Sequence, residues 1–266
     1  MKKAVVFYGS MRELEMGSKS WHILGEDVDY FVVTWDVVNN HLTDKSGISS
    51  YPCDLSTFPV PIKGAVRPNF DEYNQSLTNL GLPKHSITYI LYHWSLIGLL
   101  PDIHTYDQII ITRTDIFSTN MLESKWEPII DPGKVTFPGK NNCVSDWVVT
   151  TDPAGLDTLY DIYHTGIATR DLVDELGNIK IIHDYLYEKV QANPEKFHYG
   201  NVGLVMPNTV LIRPNYPKEW LKLSYGPVLA YLVIRHSQEY ENNYNGSAAS
   251  ADEITIQMLS CTEFKV

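Results

Sequence analysis

The chain has 266 residues, of which 44% are hydrophobic and 20% charged, so it can build a hydrophobic core and does not have the composition of a disordered chain. Its net charge of −11 argues against a general nucleic-acid-binding protein, because neutralising phosphates requires a basic surface. No apolar run is long enough to span a membrane, and the three cysteines form no CxxC pair or Cys/His cluster. We therefore expect a cytoplasmic protein with reduced thiols.

The first 36 residues predict a βαβ unit. Residues 3–8 form an apolar strand, Gly9 to Arg12 a turn, Ser18 to Leu24 a helix capped by Ser18, and Val28 to Thr34 a second strand that ends in Trp35-Asp36. Such a unit implies a parallel sheet with a right-handed crossover connection.

The next segment predicts two helices that lead into a central strand. Residues 39–69 are polar and proline-rich, which predicts loops around one short strand near Phe58 to Ile62. Asn69 to Leu80 predicts a helix that Gly81 ends, and Lys84 to Leu100 predicts a long apolar helix. The run from Gln108 to Thr112 is β-branched and uncharged, which is typical of a buried strand.

The second half of the chain predicts a less regular α+β arrangement. The predicted elements are strands at Val135–Phe137 and at Cys143–Thr150, helices at Leu156–Tyr163 and Ile179–Gln191, and a hairpin of Asn201–Met206 with Thr209–Arg213. Together with the parallel unit at the start, this order predicts an α/β fold class with a mixed central sheet.

The central strand ends in Arg113-Thr114-Asp115, which places a cation and a carboxylate at the carboxyl edge of the sheet. Ligands of open α/β sheets bind at that edge. Asp115 is therefore a candidate ligand for Mg²⁺ or Mn²⁺, which would hold phosphate oxygens, and Arg113 would neutralise a leaving diphosphate. The alternative is a surface ion pair or a turn capped by Asp115.

Three segments resemble nucleotide-diphospho-sugar glycosyltransferases of the GT-A type. They are residues 4–8 with 30–36, residues 73–76 and 81–82 leading into 111–115, and residues 144–149. The chain is similar in style to the lipopolysaccharide and capsule-synthesis enzymes that carry an Arg-x-Asp variant of the DxD motif, with Arg113 in place of the first aspartate. The resemblance covers about residues 3–150, and a bacterial or phage source would suit the chain's small size.

The resemblance implies a GT-A like fold. Its Rossmann-type N-terminal half would bind the nucleotide-sugar, a mixed sheet would form the centre, and an α+β C-terminal half would hold the acceptor. We expect one domain over residues 1–240, with the donor half at 1–118 and the acceptor half at 119–240. Residues 241–266 would form a linker and a C-terminal tail.

The function implied by the resemblance is hexosyltransferase-like transfer of a sugar from a nucleotide-diphospho-sugar to a hydroxyl of a glycan or small acceptor, assisted by Mn²⁺ or Mg²⁺. Asp115 would be the metal ligand, and Asp146 the general base, with Asp184 as its rival. Inverting and retaining outcomes both stay open. The expected donor contacts are Tyr8, Gly9, Ser10, Arg12, Thr34, Trp35, Asp36, Arg113 and Thr114.

Several alternatives stay open at this point. Trp35 can instead be a core residue, Asp146 can instead bond a neighbouring amide, and His183, His198 and His236 are further candidate metal ligands. The chain could be a non-catalytic nucleotide- or glycan-binding protein with the same fold. A nucleotidyltransferase would need a glycine-rich basic loop, of which Gly9 to Arg12 is only a thin version.

Overall fold

The computed structural model describes residues 1–11, 14, 18, 21, 24, 27–38, 51–118, 130–140, 143–144, 146–200 and 209–211. The described strands are β1 (Lys3–Tyr8), β2 (Val28–Val33), β3 (Val37–Val38), β4 (Tyr51–Pro52), β5 (Ile62–Val66), β6 (Gln108–Arg113), β7 (Ile116–Ser118), β8 (Val135–Lys140), β9 (Cys143–Val144), β10 (Val148–Thr151), β11 (Phe197–Gly200) and β12 (Thr209–Leu211). The described α-helices are α1 (Phe70–Asn79), α2 (Ser86–Ser95), α3 (Leu156–Thr169) and α4 (Ile182–Ala192).

A mixed central sheet organises these elements. Its strand order is β11-β8-β10-β6-β1-β2-β5, and β9 pairs with β8. Strands β6, β1, β2 and β5 run parallel, whereas β10 runs antiparallel to both β6 and β8. The predicted fold class, an α/β fold with a parallel N-terminal half and a mixed central sheet, is confirmed.

The strand order reverses direction between β1 and β6. From β1 the chain proceeds outward through β2 to β5, and it then returns to the other side of β1 to form β6. The register pairs Tyr8 with Arg113, so the last residues of β1 and β6 lie side by side. In open α/β sheets such a switch point opens a crevice at the carboxyl edge of the strands.

Both faces of this sheet are covered, which explains the continuous apolar runs of its strands. Side chains alternate along β1, so that Val6 and Tyr8 belong to the core on one face, and Val5 and Phe7 to the core on the other. The first core includes residues of all four helices. The second contains Trp21, which packs on the Phe7 ring with ring centroids 4.1 Å apart.

Helix α1 begins and ends close to its predicted bounds. The Asn69 side chain accepts a hydrogen bond of 2.9 Å from the Glu72 amide, which satisfies one of the first-turn donors. Asp71 and Glu72 lie in the first turn, where negative charge suits the helix dipole. Gly81 follows the helix with φ of +64°, a conformation that glycine adopts without steric cost.

The long helix predicted from Lys84 to Leu100 is shorter than expected. Helix α2 ends at Ser95, and a separate 3-10 turn covers Ile97–Leu99. His85 caps the start, because its ring accepts from the Ile87 amide while the Thr88 hydroxyl accepts from the His85 amide. This reciprocal capping fixes the N-terminus two residues into the predicted apolar run.

Other predicted strands differ from the structure in position. The short strand near Phe58 to Ile62 is instead Ile62–Val66, because Pro59 and Pro61 have no N–H to donate to a sheet ladder. The strand predicted over Cys143–Thr150 is interrupted, and Asp146 and Trp147 form a bend between β9 and β10. Strand β12 pairs with β7, and the rest of the predicted hairpin lies outside the described residues.

Two helix predictions are correct in type and inexact in length. Helix α3 extends beyond Tyr163 to Thr169, and α4 begins at Ile182 rather than Ile179. Most of the predicted helix between Ser18 and Leu24, and the whole tail at 241–266, lie outside the described residues. The predicted domain boundaries therefore stay predictions, although Met1–Leu211 clusters as one unit.

In the part of the chain that the structure describes, none of the helices has the length and apolar character needed to cross a bilayer.

His93 is buried in the core beside Trp35 and gives the fold a predicted sensitivity to acid. Its Nδ1 donates to the Tyr89 carbonyl at 2.7 Å, and burial lowers the pKa of His93 to about 4. Below the ordinary pKa of 6.5, His93 therefore binds a proton in the unfolded chain but not in the folded chain. The free energy of unfolding falls as the pH drops.

The free energy of unfolding should fall between pH 7 and pH 5 in both the wild type and His93→Gln. We expect this fall to be about 2 kcal/mol smaller in His93→Gln. Urea unfolding at the two pH values measures the difference. His104→Gln, which makes the same change at an exposed histidine, is the matched control. Equal acid sensitivity of the wild type and His93→Gln would mean that His93 is not held neutral by burial.

Candidate active site

Four side chains from distant parts of the sequence meet at the carboxyl end of β6. Tyr8 ends β1, Arg113 ends the neighbouring β6, and Asp115 follows two residues later. Strand β10 runs antiparallel to β6 with Val148 opposite Thr112, which brings the bend at Asp146 to the same edge. Sheet register alone therefore assembles the cluster, at the β1/β6 switch point.

Arg113 and Asp115 form a two-point ion pair. The Arg113 Nε donates to Asp115 Oδ1 at 2.8 Å, and Nη2 donates to Oδ2 at 2.7 Å. The Asp115 side chain is only 2% exposed and that of Arg113 is 17% exposed, so the pair is largely shielded from water. Such parallel hydrogen bonds fix the plane of the guanidinium as well as its position.

Asp146 lies on the other side of Arg113 and is also buried. Its Oδ2 is 3.8 Å from Arg113 Nη1, a distance that gives electrostatic attraction without a direct hydrogen bond. The Tyr8 hydroxyl donates to the Asp146 backbone carbonyl at 2.6 Å and lies 3.2 Å from Oδ2. These contacts hold both the main chain and the carboxylate of Asp146 in place.

His183 on α4 approaches Asp146 from the more exposed side. Its Nδ1 donates to the Val144 carbonyl at 2.7 Å and lies 3.9 Å from Asp146 Oδ1. Donation by Nδ1 leaves Nε2 as the basic nitrogen of the neutral ring. The His183 side chain is 36% exposed, so it lies where the buried cluster meets solvent.

The charges in this cluster keep Arg113 and Tyr8 protonated. Burial acts to lower the pKa of Arg113, but attraction to Asp115 and Asp146 outweighs it, so the pKa is raised. Burial, followed by the charge of Asp146, raises the pKa of Tyr8 well above its ordinary value. The cluster therefore presents one guanidinium, a neutral phenol and the two carboxylate side chains.

The predicted donor-binding residues at the end of β1 lie beside this cluster. Gly9 has φ of +92°, and its amide donates to the Val33 carbonyl at 3.1 Å. The Thr114 hydroxyl donates to the Ser10 carbonyl at 3.4 Å, which links the ends of β1 and β6. Arg12, the remaining member of this predicted turn, lies outside the described residues.

At the end of β2, the residues predicted to contact the donor make contacts within the fold. Thr34 is fully buried, and Trp35 is 3% exposed within an aromatic cluster with Phe70, Tyr73, Tyr89, Tyr92 and His93. Asp36 accepts hydrogen bonds from the Phe70 amide at 2.9 Å and from Asn69 Nδ2 at 2.8 Å. For Trp35 the core alternative describes its position, and Asp36 helps to begin α1.

Asp184 lies apart from the converged side chains. It is exposed in the first turn of α4, and among the described contacts none links it to Arg113, Asp115 or Asp146. Its sequence neighbour His183 faces Asp146 instead. Sequence reasoning did not identify the contact of His183 with Asp146 or the support that the Tyr8 hydroxyl provides. The one sequence feature that could have indicated the role of Tyr8 is its hydroxyl at the end of an otherwise apolar strand.

The arrangement of Asp115 does not fit the predicted metal site. Both of its carboxylate oxygens accept hydrogen bonds from Arg113, so the guanidinium occupies the face on which a divalent ion would bind. Within the described ranges, no three His, Cys, Asp or Glu side chains converge in a way that could hold an ion.

Structural comparison finds similarity to glycosyltransferases. One similar structure is a glycosyltransferase involved in the glycosylation of the major capsid of PBCV-1, with a TM-score of 0.41 and 9% identity, covering 76% of this chain and 82% of that one. Another is the apo-form glycosyltransferase GlyE of Streptococcus pneumoniae TIGR4, with a TM-score of 0.45 and 11% identity, covering 98% of this chain and 64% of that one. No protein-family model and no curated protein sequence matches the chain.

The Tyr8 hydroxyl is expected to stabilise the fold through the bend at Asp146. Tyr8→Phe leaves the Asp146 carbonyl without its buried donor, which should lower the free energy of unfolding by about 1–3 kcal/mol in urea titrations. Tyr160→Phe, the same change at a residue that is 51% exposed on α3, is the control and should be nearly neutral. Equal stability of the two variants would contradict a structural role for this hydrogen bond.

Proposed function

We propose that the protein transfers a glycosyl group from a nucleotide-diphospho-sugar to a hydroxyl of a glycan or small acceptor. The observation that carries this proposal is the convergence of Arg113, Asp115 and Asp146, all largely buried, at the carboxyl end of β6. Burying three charged groups in one place is costly, and clusters of perturbed charged groups concentrate at functional sites. The cluster also lies at the switch point where open α/β sheets bind nucleotides.

The donor would occupy the crevice outside the ends of β1 and β6. Because the Thr114 hydroxyl bonds to the Ser10 carbonyl, the donor would lie outside this contact, and Gly9 would let it approach the backbone closely because it has no side chain. Arg113 would then face the diphosphate. Its Nη1 donates no hydrogen bond to any described residue, so it can donate to a phosphate oxygen.

The chemistry assigned to the site is a displacement at the anomeric carbon of the donor sugar. The acceptor oxygen forms a bond to that carbon while the bond to the diphosphate breaks, and the nucleoside diphosphate leaves with the bonding electrons. Arg113 would stabilise the negative charge that develops on the leaving group. The Asp146 carboxylate would take the proton of the acceptor hydroxyl.

Asp146 suits this role better than Asp184 because of its surroundings. Asp146 lies 3.8 Å from Arg113, and the Tyr8 hydroxyl fixes its position. An acceptor hydroxyl would approach Asp146 from the side of His183, whose side chain is 36% exposed. Asp184, in contrast, is exposed in the first turn of α4.

A second candidate function is binding of a nucleotide or glycan without turnover. It is favoured by the pairing of both Asp115 oxygens with Arg113, which leaves the predicted metal ligand occupied. The two functions differ in one observable, because a binding protein would bind UDP, GDP or a glycan and release no nucleoside diphosphate from any donor sugar.

We expect Asp146→Asn to lower donor turnover by about 100- to 10,000-fold, because it removes the proton acceptor while preserving the shape of the side chain. Release of nucleoside diphosphate from a panel of UDP- and GDP-sugars, in the presence of mixed hydroxyl acceptors, is the measurement. Asp157→Asn makes the same change at an exposed aspartate in the first turn of α3 and serves as the control.

Near-wild-type turnover by Asp146→Asn would contradict the assignment of Asp146 as the base. A parallel loss in Asp184→Asn alone would transfer that role to the rival aspartate. Thermal melting of each variant separates lost chemistry from lost folding, since an unfolded variant would be inactive for a trivial reason.

A further inference from the structure

We propose that Arg113 is the resident cation of this site, and that Asp115 acts as the positioning residue for Arg113 rather than as a ligand of a divalent ion. The contact with a leaving diphosphate rests on the proposed function. The pairing of Arg113 with Asp115, and its consequence for metal binding, rest on the geometry of the described residues alone.

The first step of the argument is the occupancy of Asp115. Both of its oxygens accept hydrogen bonds from one guanidinium, at 2.8 and 2.7 Å, and the carboxylate is almost completely shielded from solvent. A divalent ion that left this pairing intact would have to bind at the outer lone pairs of the carboxylate, next to the positive charge of Arg113, which repels it. An ion that displaced the guanidinium would separate a buried ion pair, which is strongly unfavourable.

The second step is the direction in which Arg113 is held. A guanidinium has five N–H donors in a rigid fork, and Asp115 engages two of them, on Nε and Nη2. The remaining nitrogen, Nη1, faces Asp146 and lies 3.8 Å from its Oδ2. The pairing with Asp115 therefore orients the N–H groups of Arg113 Nη1 toward the Asp146 carboxylate.

The third step is the permanence of the charge. A cation that replaces a metal ion must stay charged at any pH at which the protein is folded. The guanidinium of an arginine is not deprotonated in proteins, so Arg113 keeps its charge. A fixed guanidinium supplies positive charge to phosphate oxygens with two-point geometry and needs no ion from solution.

The test of the pairing uses Mn²⁺ alone as the probe. Mn²⁺ is titrated into the full-length protein, and the free ion is followed by electron paramagnetic resonance. The acidic surface will bind some ion weakly, so the readout is the difference between the wild type and Asp115→Asn. Asp157→Asn, which removes one exposed carboxylate, controls for that background. We expect all three proteins to give the same titration.

One equivalent of Mn²⁺ bound by the wild type and lost specifically in Asp115→Asn would overturn the proposal. Repeating the titration with UDP or GDP present extends the test to an ion that binds only together with nucleotide. One equivalent of Mn²⁺ that binds under these conditions and is lost in Asp115→Asn would also overturn the proposal. The arm without nucleotide decides on the metal whether or not the protein proves to be a glycosyltransferase.

Isothermal titration with UDP and GDP tests the role of Arg113. We expect the dissociation constant in EDTA to lie within about threefold of that in Mn²⁺. We expect Arg113→Lys to weaken binding in EDTA by about tenfold or more, because lysine lacks the rigid two-point geometry of the guanidinium. Lysine keeps a positive charge beside the buried carboxylates but loses the two-point pairing with Asp115, so thermal melting must show that this variant is folded.

Binding that requires Mn²⁺, or binding that Arg113→Lys leaves unchanged, would contradict the role of Arg113. Failure of both nucleotides to bind in either buffer would instead remove the proposed function. In that case the Mn²⁺ titration still decides which cation Asp115 holds, so the two failures are distinguishable.

Discussion

The guanidinium of Arg113, placed between the buried carboxylates of Asp115 and Asp146, is the interaction on which the site depends. An unpaired charge in a protein interior is strongly destabilising, so each member of this cluster requires the others. The two hydrogen bonds to Asp115 fix Arg113, and the Tyr8 hydroxyl fixes the bend that carries Asp146. The result is a preorganised arrangement of charge, which is what electrostatic catalysis requires.

The sheet delivers these groups to one place by its topology. Strands β1 and β6 are parallel neighbours on either side of a change in strand order, and β10 returns antiparallel beside β6. The contact between Tyr8 and Asp146 spans 138 positions in sequence. Because the same contacts support the fold and, under the proposed function, the chemistry, substitutions in the cluster are expected to affect stability as well as activity. Loss of activity must therefore be measured on variants that are shown to be folded.

Local patterns sufficed for much of the fold and for part of the site. The β-branched run of β6, the capped start of α1 at Asn69 and the glycine after that helix depend on neighbouring residues, and each is where the sequence indicates. Apolar periodicity does not reveal where α2 begins, because that start depends on the reciprocal cap at His85. It does not reveal the break before β10 either, because that break depends on a long-range hydrogen bond from Tyr8.

The same distinction explains the site residues. Arg113 and Asp115 were predictable as a pair at a strand end, but their mutual ion pair depends on a turn geometry that the sequence leaves open between several alternatives. Trp35 and Asp36 follow a strand at the correct edge, yet packing against α1 and α2 commits them to the scaffold. The approach of His183 to Asp146 requires α4 to dock beside β9, and no local signal encodes that placement.

The most direct test of the central claim is a crystal structure of the protein with UDP or GDP bound in the absence of divalent ions. The account predicts the diphosphate in the crevice between the ends of β1 and β6, hydrogen-bonded to Arg113 while Arg113 still pairs with Asp115. A nucleotide bound elsewhere on the molecule, or a diphosphate that does not contact Arg113, would contradict it.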